Sequence, residues 1–524
     1  MALGVAVVGQ RFENPREILG DRLREGSIYR LLADHGERLF PDEYFADLYM
    51  VSARGRPTVP ARVLATVMVL QAFEGLSDRE ATDRLEVDLR WQAAAGVDTG
   101  CEAFHPTVLV GQRNRLRASS RPRRLFADTR VVARQAGVLK GRARVLDSTP
   151  LYDAVATQDT VTQLRAAIRK LLMVLDSTAS ALAAGVRSVL ERDDDYAAAG
   201  KPPCDWDDPA AREALVDDLV HDAMAALAVL DGETLTGAAR DAADLLAVVA
   251  GQDVEEGDDG VFRIVAGVAR DRVISTVDPE ARHGHKSRHR RFDGYKTHVS
   301  VDPDSELVDE VTVTPANTPD RDAVDDLLAP SAAEQDKPEV VGDSAYADGE
   351  TRDRLGTAGY PVRAKVPPAR NRAGRFTKDR FQINLDDGTV TCPAAQTVTI
   401  TPSRRGGGKA SFASHCPTCP LRKRCTAARR GRSITIHRHE ALLQAARTEQ
   451  LTAEWAQRYR ADRPIVERKI AHFARRLWGG RKARCRGLIR VATDVDTRAA
   501  ATNLARLAVL GVGFDGTRWT ASIA

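Results

Sequence analysis

No apolar run in this 524-residue chain approaches the length of a membrane span, so nothing in it reads as a transmembrane helix. The opening residues, MALGVAVVGQRFENP, have no basic region before their short apolar stretch, which argues against a secretory signal. Cysteine is scarce: seven residues, an odd number, thinly spread. A disulfide framework is therefore not expected, and a reducing cytoplasm is. Internal repeats and low-complexity tracts are absent. The most informative lack is of acid in particular places. Gly388 to His439 contains no Asp or Glu but ten Lys or Arg, and between Asp462 and Asp494 the only acid is Glu467, again among ten Lys or Arg. A third block, RHGHKSRHRRFDGYKTH from Arg282 to His298, holds six Lys or Arg, four His and the single acid Asp293. The middle of the chain is acidic instead (ERDDDY, CDWDDP, VDDLVHD), so a net charge of +4 hides the pattern. Three basic blocks suit a polyanionic partner better than three solvated faces.

The length implies two to four domains. Residues 1–125 have helical apolar spacing, with Gly75 breaking one helix and Ser77 placed to cap the next with Glu80 three residues on. Such a pair fits a DNA-docking helix-turn-helix, a plain bundle or a dimerisation element. ARVLDST then reads as a strand. Residues 165–270 form an Ala-rich helical insertion closing with the loop GQDVEEGDDG. Strand patterns follow in FDGYKTHVSVD and ELVDEVTVTPA, a helix near RDAVDDLLAP, a buried strand EVVGD, a helix near GETRDRL and a strand in YPVRAKVP. Residues 371–444 break this rhythm with polar β-prone runs and clustered cysteines. A long helix is expected from Leu443 to Leu477, interrupted at or before Pro464.

Two aspartates end apolar strands: Asp147 in VLDST and Asp343 in VVGDSAY. A carboxylate there projects into the crevice where α/β domains place their sites. Glu467 is the lone acid in a basic helix. A turn or cap role explains each Asp singly, and an ion pair explains the Glu. Together they suit phosphodiester chemistry, because Mg²⁺ takes oxygen ligands and two ions roughly 3.5–4 Å apart can serve the attacking and leaving oxygens.

The combination resembles the DDE transposases of bacterial insertion sequences, members of the retroviral-integrase superfamily. The resemblance runs from LQAFEGLSDREATDRL and FHPTVLVGQRNRLR through VLDSTP, RFDGYKTHVSVD, TPANTPD and GDSAYADGE to RPIVERKIAHFARRLWGGRKARCRG and AATNLARL. It implies an RNase H-like mixed α/β sheet core split over 140–164, 280–370 and 445–524, carrying the N-terminal helical domain and both insertions. It implies Asp147, Asp343 and Glu467 as catalytic ligands of two Mg²⁺ or Mn²⁺ ions. Water on metal would free a 3′-hydroxyl, which would attack target DNA without a protein nucleophile. The expected partners are double-stranded DNA (terminal inverted repeats and target) and a second copy of the chain in the DNA complex, at the bacterial nucleoid. Lys286, Arg288, Arg290, Arg291, Lys296, Arg463 and Arg475 are the expected DNA contacts. The family signature Y-x2-R-x3-E-x6-K is met by Arg463 and Glu467, but Tyr459 lies one residue too far upstream. The last basic position falls on Ala474, with Arg475 next to it. Glu440 and Glu454 are lesser candidates for the third acid.

Cys416, Cys419 and Cys425 in HCPTCPLRKRC, with Cys392 upstream, have Cys-x2-Cys spacing that suits a structural Zn²⁺; buried free thiols are the other reading. Amid Arg and Lys, His283, His285, His289 and His298 read as DNA-backbone contacts rather than metal ligands. Trp455 and Trp478 suit helix packing better than base stacking. Two further functional readings stay open: a metal-dependent nuclease without strand transfer, and a domesticated DNA-binding regulator.

Overall fold

The computed structural model describes residues 14–49, 58–287, 289–369, 374–474 and 480–522. Arg288, Arg475 and Trp478 lie outside them.

The N-terminal helices are built as their sequence dictates. Ala61–Glu74 is apolar nearly all round and buried along most of its length. Gly75 ends it in the left-handed conformation (φ 72°). Ser77 then starts Asp78–Val87 with a capping box: Ser77 N–H donates to Glu80 Oε2 at 2.7 Å, and Glu80 N–H to Ser77 Oγ at 3.2 Å. These helices share their core with the rest of the molecule. One apolar cluster runs from Ile28 through Leu64, Val145, Val299 and Val341 to Leu504 and Trp519. The helix Leu488–Val509 joins them, packing on Ala61–Glu74, on Arg124–Gln135 and on the central sheet. Its buried Asn503 donates to Val308 O and Thr129 Oγ1 and accepts from Val308 N–H, riveting helix to strand.

The central sheet has six strands: β1 (Ala143–Tyr152), β2 (Arg282–Ser287), β3 (Arg290–Val301), β4 (Val308–Pro315), β5 (Glu339–Gly342) and β6 (Val362–Ala364). β3 pairs antiparallel with β1, β2 and β4, while β1, β5 and β6 run parallel in that order. Strand β2 has no counterpart in the sequence reading, which took its basic residues as surface. Elsewhere the strand sites agree. Because β1 is pleated, Val145 faces the main core while Leu146 faces a second cluster with Val324, Leu327 and Tyr346.

Gly294 is required where β3 meets the end of β1. Its φ is +128°, and a Cβ would lie 2.5 Å from both Leu151 O and Asp153 N. Gly294→Ala should therefore cost about 2–3 kcal/mol. Chemical denaturation would show this as a lower midpoint at unchanged slope; an unaltered midpoint would mean that the strands part freely there.

The helical insertion has its own core from Thr160–Thr178, Ser180–Val189, Pro209–Val229 and Gly237–Gln252. The expected loop after it is a small hairpin, Val254–Glu256 with Phe262–Ile264. The two ends of the insertion are tied together: Gln158 N–H donates to Ile274 O at 2.9 Å, and Gln158 Oε1 accepts from Thr276 N–H at 2.8 Å. The β-rich insertion is a five-stranded antiparallel sheet of β7 (Gln382–Asn384), β8 (Thr389–Thr391), β9 (Thr397–Pro402), β10 (Gly408–Ser411) and β11 (Ser433–Ile436). Its core holds Phe381, Phe412, Cys416 and Cys425.

The long helix does not break where proline predicts. It is two helices, Glu440–Glu449 and Ala453–Phe473, and Pro464 sits inside the second. Pro464 is exposed, so the carbonyl its missing N–H leaves free can meet water. Just before Pro464, Asp462 and Arg463 anchor the helix to the sheet through Arg142, Arg363 and Asp147. The real break follows Gln450, whose side chain bonds Val366 N–H and O, and Thr452 caps the restart.

Candidate active site between β1 and the end of β5

The parallel register pairs Val145 with Val341, so two residues further on Asp147 and Asp343 stand side by side. Asp343 follows the end of its strand as expected, but β1 runs on to Tyr152, so Asp147 lies midway along it, where its pairing with β5 stops. Each carboxylate has one oxygen held by backbone. Asp147 Oδ1 accepts from Ser148 N–H, and Asp343 Oδ1 from Ala345 N–H, both at 2.8 Å. The other Asp147 oxygen, Oδ2, takes Arg463 Nη2 at 2.8 Å. Arg463 Nη1 also donates to Leu146 O at 3.2 Å. Burial pushes the Asp147 carboxyl above the usual carboxylate range, and the Asp343 charge adds to this, while Arg463 and Ser148 N–H oppose it. Burial works against the Arg463 charge, but Asp147 and Asp343 outweigh it and hold its pKa above the ordinary value. Two like charges in a part-buried crevice, balanced by one guanidinium, make a strongly polarised site.

Glu467 lies one helical turn beyond Arg463 on the same helix and is exposed. Among the described residues, no three His, Cys, Asp or Glu side chains group closely enough to hold a metal ion. The structure thus brings Asp147 and Asp343 together and leaves Glu467 outside the pair. The pair itself fits a divalent cation: hard oxygen donors, one oxygen on each carboxylate outside the backbone bonds (that of Asp147 shared with Arg463), and a mutual repulsion that a cation relieves.

Sequence reasoning missed the floor beneath this pair. Ser148 Oγ donates to Asp320 Oδ2, and Lys296 Nζ bonds Asp320 Oδ1 and Thr318 O, each at 2.8 Å. Burial alone would raise Asp320, but Lys296 and its neighbours hold it below the usual range. The signal lies in TPANTPD, one of the strings that carry the family resemblance, whose last residue is Asp320. Tyr346, fully buried with no hydrogen-bond partner on its hydroxyl, feels the charges of Asp320, Asp147 and Asp343 after the dominant effect of burial. Tyr459, off its expected spacing, stands beside Arg463 within the field of Asp343 and Asp147.

The expected DNA contacts divide. Lys286, Arg290 and Arg291 are exposed. Lys296 is committed to Asp320, and Arg463 to Asp147 rather than to Glu467. His298 is fully buried against Thr314 and His283 is bonded to Asp293, so neither is a free backbone contact; His285 and His289 are exposed. Glu440 is buried and gripped by Lys378 and Arg447, an anchor for the β-rich insertion and not a third ligand. Glu454 is exposed in the first turn of its helix. Trp455 stacks on Tyr459 with centroids 4.7 Å apart, a packing role. Cys392, Cys416, Cys419 and Cys425 line one small apolar cavity with Phe376, Phe381 and Phe412. All four thiols are free, and among the described residues no three of them group closely enough to hold a metal ion.

Comparison with known families gives two matches. A model described as Transposase domain (DUF772) matches residues 17–115, and one described as Transposase DDE domain matches residues 391–508. The second spans Arg463, Glu467 and the helix Leu488–Val509; Asp147 and Asp343 fall between the two matched stretches. Neither a curated protein nor a solved structure matches the chain. No helix among the described residues is long and apolar enough to cross a membrane. Transposase domains matched over residues 17–115 and 391–508, in the order the sequence motifs gave, support an insertion-sequence DDE transposase.

Proposed function

We propose that this chain cuts and rejoins the DNA of its own element, with Asp147 and Asp343 as the metal-holding core and Glu467 as the third carboxylate. The observation that carries the reading is the side-by-side placement of Asp147 and Asp343 on adjacent parallel strands. The sheet order β4-β3-β1-β5-β6, three antiparallel strands followed by two parallel ones, supports an RNase H-like core. When bound there, Mg²⁺ or Mn²⁺ would polarise a phosphodiester and lower the pKa of an attacking water.

The protein's own residues orient and balance charge. Backbone N–H groups of Ser148 and Ala345 each hold one oxygen, Oδ1, of the two carboxylates and so fix their orientation. Arg463 is positioned to take a DNA phosphate by bidentate hydrogen bonds. Lys286, Arg290 and Arg291 on β2 and β3 offer exposed charge for the flanking backbone. No protein nucleophile is needed, because binding geometry and electrostatics carry phosphoryl transfer. We assign the β-rich insertion, with ten Lys or Arg and no acid from Gly388 to His439, to gripping DNA, and a dimer to the paired-end complex.

The test is the product. With DNA carrying the element's two ends and Mn²⁺, the chain should leave 3′-hydroxyl ends and join them to a second duplex. Cleavage without joined product would assign a nuclease, and binding without cleavage a regulator.

A further inference from the structure

Arg463 is held in a way that a phosphate contact alone does not explain. Of the two oxygens of Asp147, Oδ1 is engaged by Ser148 N–H, so Oδ2 is the one left to meet a cation, and Arg463 Nη2 already occupies it at 2.8 Å. The same guanidinium is steadied by Leu146 O at 3.2 Å, and its side chain is only 12% exposed. No other cation is recorded in contact with either Asp147 or Asp343 among the described residues. A guanidinium and a divalent ion on one carboxylate oxygen repel, and part-burial leaves that repulsion poorly screened. A phosphate, by contrast, offers the guanidinium two oxygens in matching fork geometry and a full negative charge.

We propose that Arg463 is a resident counter-cation: it fills the place of the divalent ion on Asp147 and yields it when a DNA phosphate draws the guanidinium away. Metal entry is then coupled to DNA arrival, which keeps the site from loading, and from hydrolysing at random, before substrate is seated. The inference rests on the two-aspartate reading above. It differs in sign from a purely structural role. If Arg463 only braced the helix against β1, removing it would disorder Asp147 and weaken metal binding.

Mn²⁺ binding to the full chain, read by the electron paramagnetic resonance of free Mn²⁺, separates these. Arg463→Gln without DNA should bind Mn²⁺ about tenfold or more tighter than wild type. Arg463→Lys, which keeps the charge but loses the fork, should fall between them. A 30-base-pair duplex should tighten Mn²⁺ binding to wild type and do little for Arg463→Gln. Unchanged or weaker binding in Arg463→Gln, with its circular dichroism intact, overturns the counter-cation; if that variant does not fold, Arg463→Lys binding no tighter than wild type does the same. Adding Asp147→Asn to Arg463→Gln should abolish the gain. If it does not, the ion sits elsewhere, and it is the two-aspartate reading that fails.

Discussion

Asp147→Asn is expected to reduce strand cleavage on the order of a thousandfold while DNA binding stays within a fewfold of wild type. The substitution keeps the size and the acceptor oxygen for Ser148 N–H but removes the charge that a metal ion would share with Asp343. Asp343→Asn should behave alike, since the strand register makes the two acids equivalent neighbours. Nicking of labelled duplex, measured beside a gel-shift titration, reads both quantities on one preparation. Asp147→Asn retaining cleavage within about tenfold of wild type would remove the site from β1 altogether. Glu467→Gln reports on a different step. Its carboxylate stands outside the pair in the free chain, so a loss as deep as that of Asp147→Asn would mean that DNA or metal draws Glu467 inward.

The largest stability effect should come from Arg144. Its guanidinium is 1% exposed and lies between Asp302 and Asp309, themselves 0% and 1% exposed, at 3.2 and 2.7 Å. It ties the start of β1 to the β3–β4 hairpin. Arg144→Met would keep most of the stem packing, leave buried Asp302 without its counter-charge and leave Asp309 only Arg130, 3.6 Å away. A loss of about 3–5 kcal/mol follows from breaking a buried pair on one side only. Asp302→Asn combined with Asp309→Asn should recover part of that loss, because the uncompensated charge goes with them. Urea unfolding of the single and triple variants gives the comparison. Arg144→Met unfolding at the wild-type midpoint would show that water reaches this network.

The sequence disclosed elements whose determinants are local. The Ser77–Glu80 capping box, the Gly75 stop and the apolar strands that carry Asp147 and lead into Asp343 needed only neighbours along the chain, although β1 continues past Asp147 to Tyr152. What failed was set by partners far away. Lys296 and His298 look like surface cations in RHGHKSRHRRFDGYKTH, yet pairing of β3 with β1 and β4 turns both onto the covered face over Asp320 and Thr314. Arg463 reads in the sequence as a DNA contact, and Asp147, 316 residues earlier, takes it. Pro464 should stop its helix, but Asp462 on Arg363 before it and Lys469 on Glu306 after it hold both halves in line. Asp320 carried a motif and no visible chemistry until Ser148 and Lys296 were seen to meet on it.

Gln158 and Ile274, at the two ends of the helical insertion, have a consequence for how the molecule assembles. Strands β1 and β3 are hydrogen-bonded neighbours, yet Tyr152 pairs with Gly294 across more than a hundred intervening residues. Closing so long a loop costs entropy before any pairing rewards it, and such distant contacts slow folding. Because the insertion has a core of its own and its ends are stitched together, it can collapse first as a local unit. The search then reduces to the short stretches on either side, and a nascent chain meets β3 with β1 already near at hand.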